Sequence, residues 1–302
     1  MRLAVTGREG QVAASLLEAG QRRDGVEIIA VGRPQLDLAR PDTVLEALAA
    51  SRPDIVVSAA AYTAVDQAED QPEAAFAVNA VGAGKVAEAA ARLGVPVVHL
   101  STDYVFDGTK DGAYVETDAT APASVYGASK LAGEQAVAAA NPRHLILRTA
   151  WVYSPFGRNF VKTMLRLAGD RDEIAVVADQ WGNPTSALDV ADAILQVAAR
   201  FGDDDSFDGY GIYHLAGDGD VNWSGFARHI LETSAMHGGP TARVRDIATA
   251  DYPTKAQRPR NSRLSAAKFA AAFDWRAPQW RQSTEAVVHR LLIGETRQAL
   301  TV

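Results

Sequence analysis

Cysteine is absent from this 302-residue chain. Disulfides and thiolate metal sites are therefore excluded, and a reducing compartment suits the composition. No His, Cys and carboxylate cluster has ligand spacing, so no metal ligands are assigned, and the sequence leaves open whether a divalent metal binds. Basic residues are in deficit: the net charge of -7 argues against nucleic acid as a partner. No apolar run approaches the roughly 18 residues that span a bilayer, so no membrane association is expected. No basic n-region followed by an apolar h-region precedes the first strand pattern, and a cytoplasmic protein is expected. Internal repeats and low-complexity tracts are missing too, beyond a general enrichment in alanine. What remains is an ordinary globular composition, 47% apolar and 22% charged, with ample core. The length suits one large α/β domain, or a domain with a smaller lobe.

The organising stretch lies in the middle. Val95-Pro96-Val97-Val98-His99-Leu100 has the length and composition of a buried strand. Ser101-Thr102-Asp103-Tyr104-Val105-Phe106-Asp107-Gly108 follows, then a polar loop. Tyr126-Gly127-Ala128-Ser129-Lys130 then opens an alanine-rich helical segment, which puts Tyr126 and Lys130 on one helix face. A free phenol titrates near pH 10, about three units too high for proton exchange at neutrality. An ammonium held beside it favours the phenolate and makes the tyrosine a usable proton donor. Thr102, at the end of the preceding strand, can offer a hydroxyl to the same oxygen. Tyrosine and lysine four apart are also common on solvated helices, so this pattern is weak alone. The start of the chain gives it weight.

Arg2-Leu3-Ala4-Val5-Thr6 reads as a strand, Gly7-Arg8-Glu9-Gly10-Gln11-Val12-Ala13 as a glycine turn, and 14–19 as a helix. That order turns a weak glycine pattern into a dinucleotide-binding candidate. Gly7 allows the tight turn, Gly10 lets backbone approach a pyrophosphate, and the N-terminal amides of the helix would hold it. A second strand, 26–31, ends in Gly32-Arg33-Pro34. An NAD-selective unit usually has a carboxylate there for the ribose 2′-hydroxyl. Arg33 suits a 2′-phosphate instead and favours NADPH over NADH, the alternative being an arginine simply exposed on a turn. Asp37 and Leu38 either border the adenine or start the next turn.

The strand 53–58 runs into Ala59-Ala60-Ala61-Tyr62-Thr63-Ala64-Val65-Asp66. Small residues at a strand's carboxyl end let a flat ligand lie against the backbone. A helix over 72–93 carries Asn79, read as a tie between loop and helix. After the Tyr/Lys helix, 144–150 forms another buried strand, ending in Trp151. Strands alternating with helices predict an α/β fold, a Rossmann-like doubly wound parallel sheet. Residues 1–150 form the nucleotide-binding domain, with returning segments near 173–217. These include a strand at 173–178, a helix at 188–200, a linker over 201–211 and a strand at 212–216. The rest of 151–302 forms a small C-terminal substrate-binding lobe, including the basic loop 257–263 and two final helical pieces.

A nucleotide-cradling N-terminus with a Thr102, Tyr126 and Lys130 cluster implies hydride transfer at a carbonyl or alcohol carbon. In the reducing direction Tyr126 protonates the developing oxyanion, Lys130 lowers the tyrosine pKa and holds the nicotinamide ribose, and Thr102 hydrogen-bonds the substrate oxygen.

Thr-Gly-x-x-Gly with Tyr-x-x-x-Lys resembles the extended short-chain dehydrogenase/reductases. Within these, Ala60 to Asp66, Ser101 to Gly108, Asp179-Gln180-Trp181-Gly182-Asn183-Pro184-Thr185 and Arg258-Pro259-Arg260-Asn261-Ser262 resemble the dTDP-4-dehydrorhamnose reductases, over nearly the whole chain. The resemblance implies reduction of the 4-keto group of dTDP-6-deoxy-L-lyxo-4-hexulose to dTDP-L-rhamnose, with NADPH or NADH. It implies cofactor contacts from Gly10, Gln11, Val12, Asp37, Leu38, Ala61, Tyr62 and Thr63, beside Tyr126 and Lys130; Gly7, Arg33 and Ala60 join them from the reading above. It implies sugar contacts from Thr102, Asp103, Tyr126 and Trp151, with Val65, Asn159 and Arg258 as further substrate candidates. Trp151 would otherwise be a core aromatic. Arg258 is a guanidinium suited to a diphosphate, or part of a solvated basic loop. Ala13 and Leu100 stand where the family usually carries Gly and Tyr; Leu100 alters the fine shape of the pocket.

Three rivals stand beside this reading. A dehydratase needs an Asp-Glu pair after the threonine, where this chain has Asp103-Tyr104. A reductase for a related deoxysugar, such as a dihydrostreptose branch, shares all the motifs. A non-catalytic NADP-binding regulatory subunit, like that of methionine adenosyltransferase, shares the fold. The sequence leaves the oligomeric state open, a homodimer among the options.

Overall fold

The computed structural model of the protein describes residues 1–203 and 207–299. Arg2–Thr6 (β1) leads through the glycine turn to Gln11–Gly20 (α1), Glu27–Val31 (β2), Val44–Ser51 (α2) and Ile55–Ser58 (β3). Val65–Asp70 (α3), Pro72–Phe76 (α4) and Ala83–Arg92 (α5) precede Val97–Thr102 (β4), Val125–Ala140 (α6) and His144–Thr149 (β5). The short strand Val152–Tyr153 (β6) then opens the second half, with Phe160–Asp170 (α7), Glu173–Val177 (β7), Trp181–Gly182 (β8), Thr185–Ser186 (β9) and Ala187–Asp203 (α8). Gly211–His214 (β10), Val221–Asn222 (β11), Trp223–Met236 (α9), Arg243–Ile247 (β12), Asn261–Ser262 (β13), Ala267–Phe273 (α10) and Trp280–Ala299 (α11) complete it.

The six-stranded sheet has the order β2-β1-β3-β4-β5-β10, and every neighbouring pair is parallel. The chain steps outward from β1 to β2, then returns past β1 to β3. The winding reverses there, which opens a crevice beyond the carboxyl ends of β1 and β3. Its strands are continuous apolar runs because both faces are covered. Val12, Leu16, Val190, Ile194, Phe269 and Phe273 from α1, α8 and α10 pack on one face. Val44, Leu48, Val86, Ala90 and Val137 from α2, α5 and α6 pack on the other. This is the expected doubly wound α/β fold.

The second half differs from the sequence reading in detail. Of the returning segments, α8 packs on the sheet and β10 joins it. Glu173–Val177 instead pairs with Arg243–Ile247 in a separate two-stranded sheet, because β10 takes the edge beside β5. Part of the linker over 201–211, residues 204–206, lies outside the described residues, and its first residues extend α8. A third core, with Val161, Leu165, Phe226, Ile230, Trp280 and Val288, joins α7, α9 and α11. The helix expected over 72–93 is interrupted by a π-helical segment, Ala77–Gly82. Gly133 of α6 lies against it: a Cβ there would stand 2.1 Å from the Asn79 carbonyl oxygen. Among the described residues, no helix is long and apolar enough to cross a membrane.

Candidate active site

At the crevice, Gly7 has φ +94°, a conformation that favours glycine. Its amide donates to the Val31 carbonyl at 2.8 Å. The Thr6 hydroxyl accepts from the amides of Ala59 and Ala60, each at 3.0 Å, and so pins the ends of β1 and β3 together. Gly10 is the N-cap of α1 and supplies no side-chain cap; a Cβ on it would meet nothing within 4 Å. An uncapped helix start beside open space at a switch point fits a dinucleotide pyrophosphate.

The Gln11 side chain is turned the other way. Its Nε2 donates to the Val152 carbonyl at 3.3 Å, and its Oε1 accepts from Ser154 Oγ at 2.8 Å and from Asn159 Nδ2 at 3.0 Å. Only the Gln11 backbone is left for a phosphate. Val12 is buried in the α1 packing. Arg33 is exposed at the end of β2. Arg8, which the sequence reading passed over, rises from the same rim: its Cγ lies 3.1 Å from where a Cβ on Gly32 would stand, and its guanidinium donates to Gln35 Oε1 at 2.9 Å. Asp37 caps its own turn, accepting from the Ala39 amide at 3.0 Å, and Leu38 is buried against Gly82.

The loop after β3 is held by Asn79. Its Oδ1 accepts from the Tyr62 amide at 2.8 Å, and its Nδ2 donates to the Tyr62 carbonyl and to Ser129 Oγ, both at 3.0 Å. Ser129 in turn donates to the Tyr126 carbonyl at 2.7 Å. One side chain in the π-helical segment thus registers the Ala61-Tyr62-Thr63 loop against the helix bearing Tyr126 and Lys130. Asn79 ties loop to helix as expected.

Helix α6 begins where Ser124 Oγ accepts from the Gly127 amide at 3.1 Å. Tyr126 is half-buried, and its ring meets that of Tyr104 edge-on at 5.6 Å. Burial pushes the phenol well above its ordinary value, and the nearby Thr102 hydroxyl only partly opposes this. The sequence reading had Lys130 lowering it. Instead Lys130 is itself buried and pushed down to about 8 by desolvation, with Glu134 opposing. Its ammonium donates to the Leu100 carbonyl at 2.6 Å. It also lies 3.4 Å from Nε2 of His99, a residue the sequence reading left unassigned. Glu134 is fully engaged: Arg148 grips it through two bonds of 2.9 and 2.7 Å, and Ser101 donates at 2.5 Å.

Asp103 is buried beside Thr102, whose hydroxyl donates to its Oδ1 at 3.0 Å, while Oδ2 has no hydrogen-bond partner among the described residues. Burial pushes this carboxyl up to about 6, opposed in part by the nearby Ser262 and Thr102 hydroxyls. Tyr104 is pushed up to about 12 by burial and by Asp103. Trp151 has φ +49°, unusual for a bulky residue, and stacks on Trp223 at 3.5 Å and 10°. A Cβ on Gly182 would lie 2.5 Å from the Trp151 ring, so the glycine makes room for it. Val65 opens α3. Arg258 pairs with Asp66 of α3 at 2.6 Å and reaches Tyr104 Oη at 3.4 Å. Asn159 caps α7 with Oδ1, and its Nδ2 donates to Gln11 Oε1 and to the carbonyls of Ser154 and Phe156. Its polar atoms are all committed within the protein.

A parallel sheet with a glycine turn at its switch point, and threonine, tyrosine and lysine one strand further along, define a nucleotide-dependent oxidoreductase of the extended short-chain dehydrogenase/reductase class. A sequence profile of the RmlD substrate binding domain matches residues 1–293, and the chain belongs to that family. A dTDP-4-dehydrorhamnose reductase of Sinorhizobium fredii is 54% identical over 293 residues, covering 97% of this chain and 98% of its own. The crystal structure of a dTDP-4-dehydrorhamnose reductase from Clostridium acetobutylicum superposes with a TM-score of 0.88 at 34% identity, covering 97% of this chain and 100% of its own. That of a dTDP-4-dehydrorhamnose reductase from Bacillus anthracis, in complex with NADP, also has a TM-score of 0.88 at 34% identity, covering 96% of this chain and 99% of its own.

Proposed function

We propose that this protein reduces the 4-keto group of dTDP-6-deoxy-L-lyxo-4-hexulose to dTDP-L-rhamnose with NADPH. The observation that supports the reading is that Thr102 ends β4, and Tyr126 and Lys130 lie on α6 packed against it, beside a sheet whose switch point offers an uncapped helix start. The near full-length likeness to a dTDP-4-dehydrorhamnose reductase supports the substrate, and a neighbour crystallised with NADP supports the cofactor.

The nicotinamide cofactor, when bound, supplies the hydride. Gly7 and Gly10 let backbone approach its pyrophosphate, and the first amides of α1 hold it. Arg33 and Arg8 face the 2′-phosphate. Ala60, Ala61, Tyr62 and Thr63 line the crevice wall. Thr102 and Tyr126 hydrogen-bond the substrate oxygen. A phenol held in its neutral form by burial is a proton donor, and Tyr126 releases its proton to that oxygen as negative charge develops there. Lys130 supplies a fixed positive charge near neutrality. Asp103 and Trp151 contact the sugar, and Arg258 exchanges Asp66 for the substrate diphosphate. Asn159 acts from behind, holding Gln11. Residues 1–150 with 187–214 form the nucleotide domain and the remainder the substrate lobe. A dehydratase finds no support, since position 104 holds a phenol pushed up to about 12 in place of a carboxylate base.

The test is oxidation of NADPH followed spectroscopically with enzymatically generated dTDP-4-keto-6-deoxy-L-hexose, the product identified by NMR. dTDP-L-rhamnose is expected; another sugar would move the protein to a different deoxysugar. Tyr126→Phe should cut turnover by roughly 10²- to 10⁴-fold and leave NADPH binding unchanged. A non-catalytic binding protein would show no turnover to lose.

A further inference from the structure

The Lys130 ammonium can serve the site only if it is held in one orientation. Its backbone acceptor, the Leu100 carbonyl, takes one of three N–H bonds. A second points toward His99 on the same strand, with Nε2 3.4 Å away. On its far side the imidazole Nδ1 lies 3.0 Å from Ser58 Oγ at the end of β3. His99 and Ser58 are cross-strand partners, and both are 1% exposed, Lys130 3%. All three are shut off from bulk solvent, so their hydrogen bonds are set by their neighbours.

Only one arrangement suits these contacts. An imidazolium would aim an N–H at the ammonium and bury two like charges 3.4 Å apart. The neutral Nε2–H tautomer would also set donor against donor. The neutral Nδ1–H tautomer donates to Ser58 Oγ and presents a lone pair to Lys130. Burial and the lysine charge both hold the imidazole well below its ordinary value, in agreement with a neutral ring. The other charged group that acts on the pair is Glu134 on α6, and it is neutralised by Arg148 of β5.

We propose that His99 is a positioning residue for Lys130, a neutral Nδ1–H imidazole that is anchored on Ser58 and accepts a hydrogen bond from the lysine ammonium. This rests on the reading that Lys130 serves the hydride-transfer site. The consequence has a sign. An acceptor favours the charged form of the lysine, so removing it lowers the lysine pKa. With His99→Leu, Lys130 should lose its proton about one pH unit earlier than in the wild type. With His99→Gln, whose amide oxygen can accept in place of Nε2, the midpoint should stay near the wild-type value.

The measurement is an NMR titration of Lys130 in protein labelled at lysine Cε, for wild type, His99→Leu and His99→Gln. Alongside it, the ¹⁵N spectrum of His99 in the unmodified protein reads the tautomer without any substitution. Nδ1 protonated with Nε2 bare, and a midpoint lowered by leucine but held by glutamine, support the proposal. A protonated Nε2, or one midpoint shared by all three proteins, overturns it. Neither readout needs turnover, so failure of the wild type to oxidise NADPH would strike the function proposed above and leave this result standing. Where turnover is present, the alkaline limb of kcat/KM should follow the Lys130 midpoint; a merely structural role would lower it equally at every pH.

Discussion

Gly127 of α6 and the carbonyl of Tyr104 approach so closely that a Cβ on the glycine would stand 2.2 Å from that oxygen. The contact presses the first turn of the helix, and with it Tyr126, against the segment bearing Thr102 and Asp103. A backbone oxygen cannot swing away as a side chain can, so Gly127→Ala must move helix or strand. Overpacking of this kind costs about 1–3 kcal/mol. The expected result is a melting temperature lowered by roughly 2–10 °C, with turnover reduced further because Tyr126 is the next residue. Gly169→Ala is the control, since a Cβ there meets nothing within 4 Å. Equal stability of the two variants, measured by thermal unfolding, would refute the packing argument.

The sheet was legible because its strands are short apolar runs punctuated by glycine, and β1, β3 and β4 lie where hydrophobicity alone predicts them. Tyr126, Lys130 and Thr102 were legible as a motif. Their surroundings were not. Nothing local in Arg8 or His99 marks a role; each acquires one when β2 lies beside β1, or α6 crosses β4. The pairing of Glu173–Val177 with Arg243–Ile247 was unreadable for the same reason, since about 70 residues separate the partners. The direction of the Tyr126 shift is not legible in a sequence, which shows a lysine four residues away but neither the burial that raises the phenol nor the Leu100 carbonyl that engages the ammonium.

Asp103 carries a carboxyl pushed up from 3.8 to about 6, chiefly by burial. A raised pKa means that the folded protein binds the proton more tightly than the unfolded chain. The stabilisation is therefore complete below pH 4 and is lost as pH rises through about 6. Asp103→Asn removes this dependence, because the amide does not titrate. Relative to the wild type, the variant should gain on the order of 2–3 kcal/mol in unfolding free energy between pH 4 and pH 7. Denaturant unfolding at a series of pH values checks this; a difference that is flat across the window would show that Asp103 is ionised throughout.

Gly10 separates fold from cofactor more cleanly than any other residue of the glycine turn. It caps α1 in an extended conformation open to any residue, and a Cβ on it touches no protein atom within 4 Å. Gly10→Ala should therefore leave the melting temperature nearly unchanged. The added methyl would stand where backbone and pyrophosphate meet, and NADPH affinity should fall about tenfold or more, worth about 1.4 kcal/mol. Calorimetric titration of folded variant and wild type decides it. Unaltered affinity would remove the pyrophosphate from this turn.

At the rim of β2, Arg33 is exposed and Arg8 lies against Gly32. A 2′-phosphate there would meet two guanidiniums and no carboxylate from position 33. Each exposed pair with a single charge is worth little, but hydrogen bonds to a phosphate are charge-assisted and reach about 1.5–3 kcal/mol. Arg33→Ala and Arg8→Ala should each lower the preference for NADPH over NADH by roughly tenfold, measured as the ratio of kcat/KM values. Two cations on one anion do not act independently, so the double variant should lose less than the sum of the two free energies. The preference of the wild type should also weaken as salt is raised, since the rim is open to solvent. Arg8 bears the sharper burden, because its guanidinium already donates to Gln35 at 2.9 Å and must turn to reach a phosphate. If Gln35→Ala frees it, NADPH affinity should rise while NADH affinity stays constant. A ratio unmoved in the double variant would mean that this rim does not read the 2′-position, and that both arginines are simply solvated charges at the end of a strand.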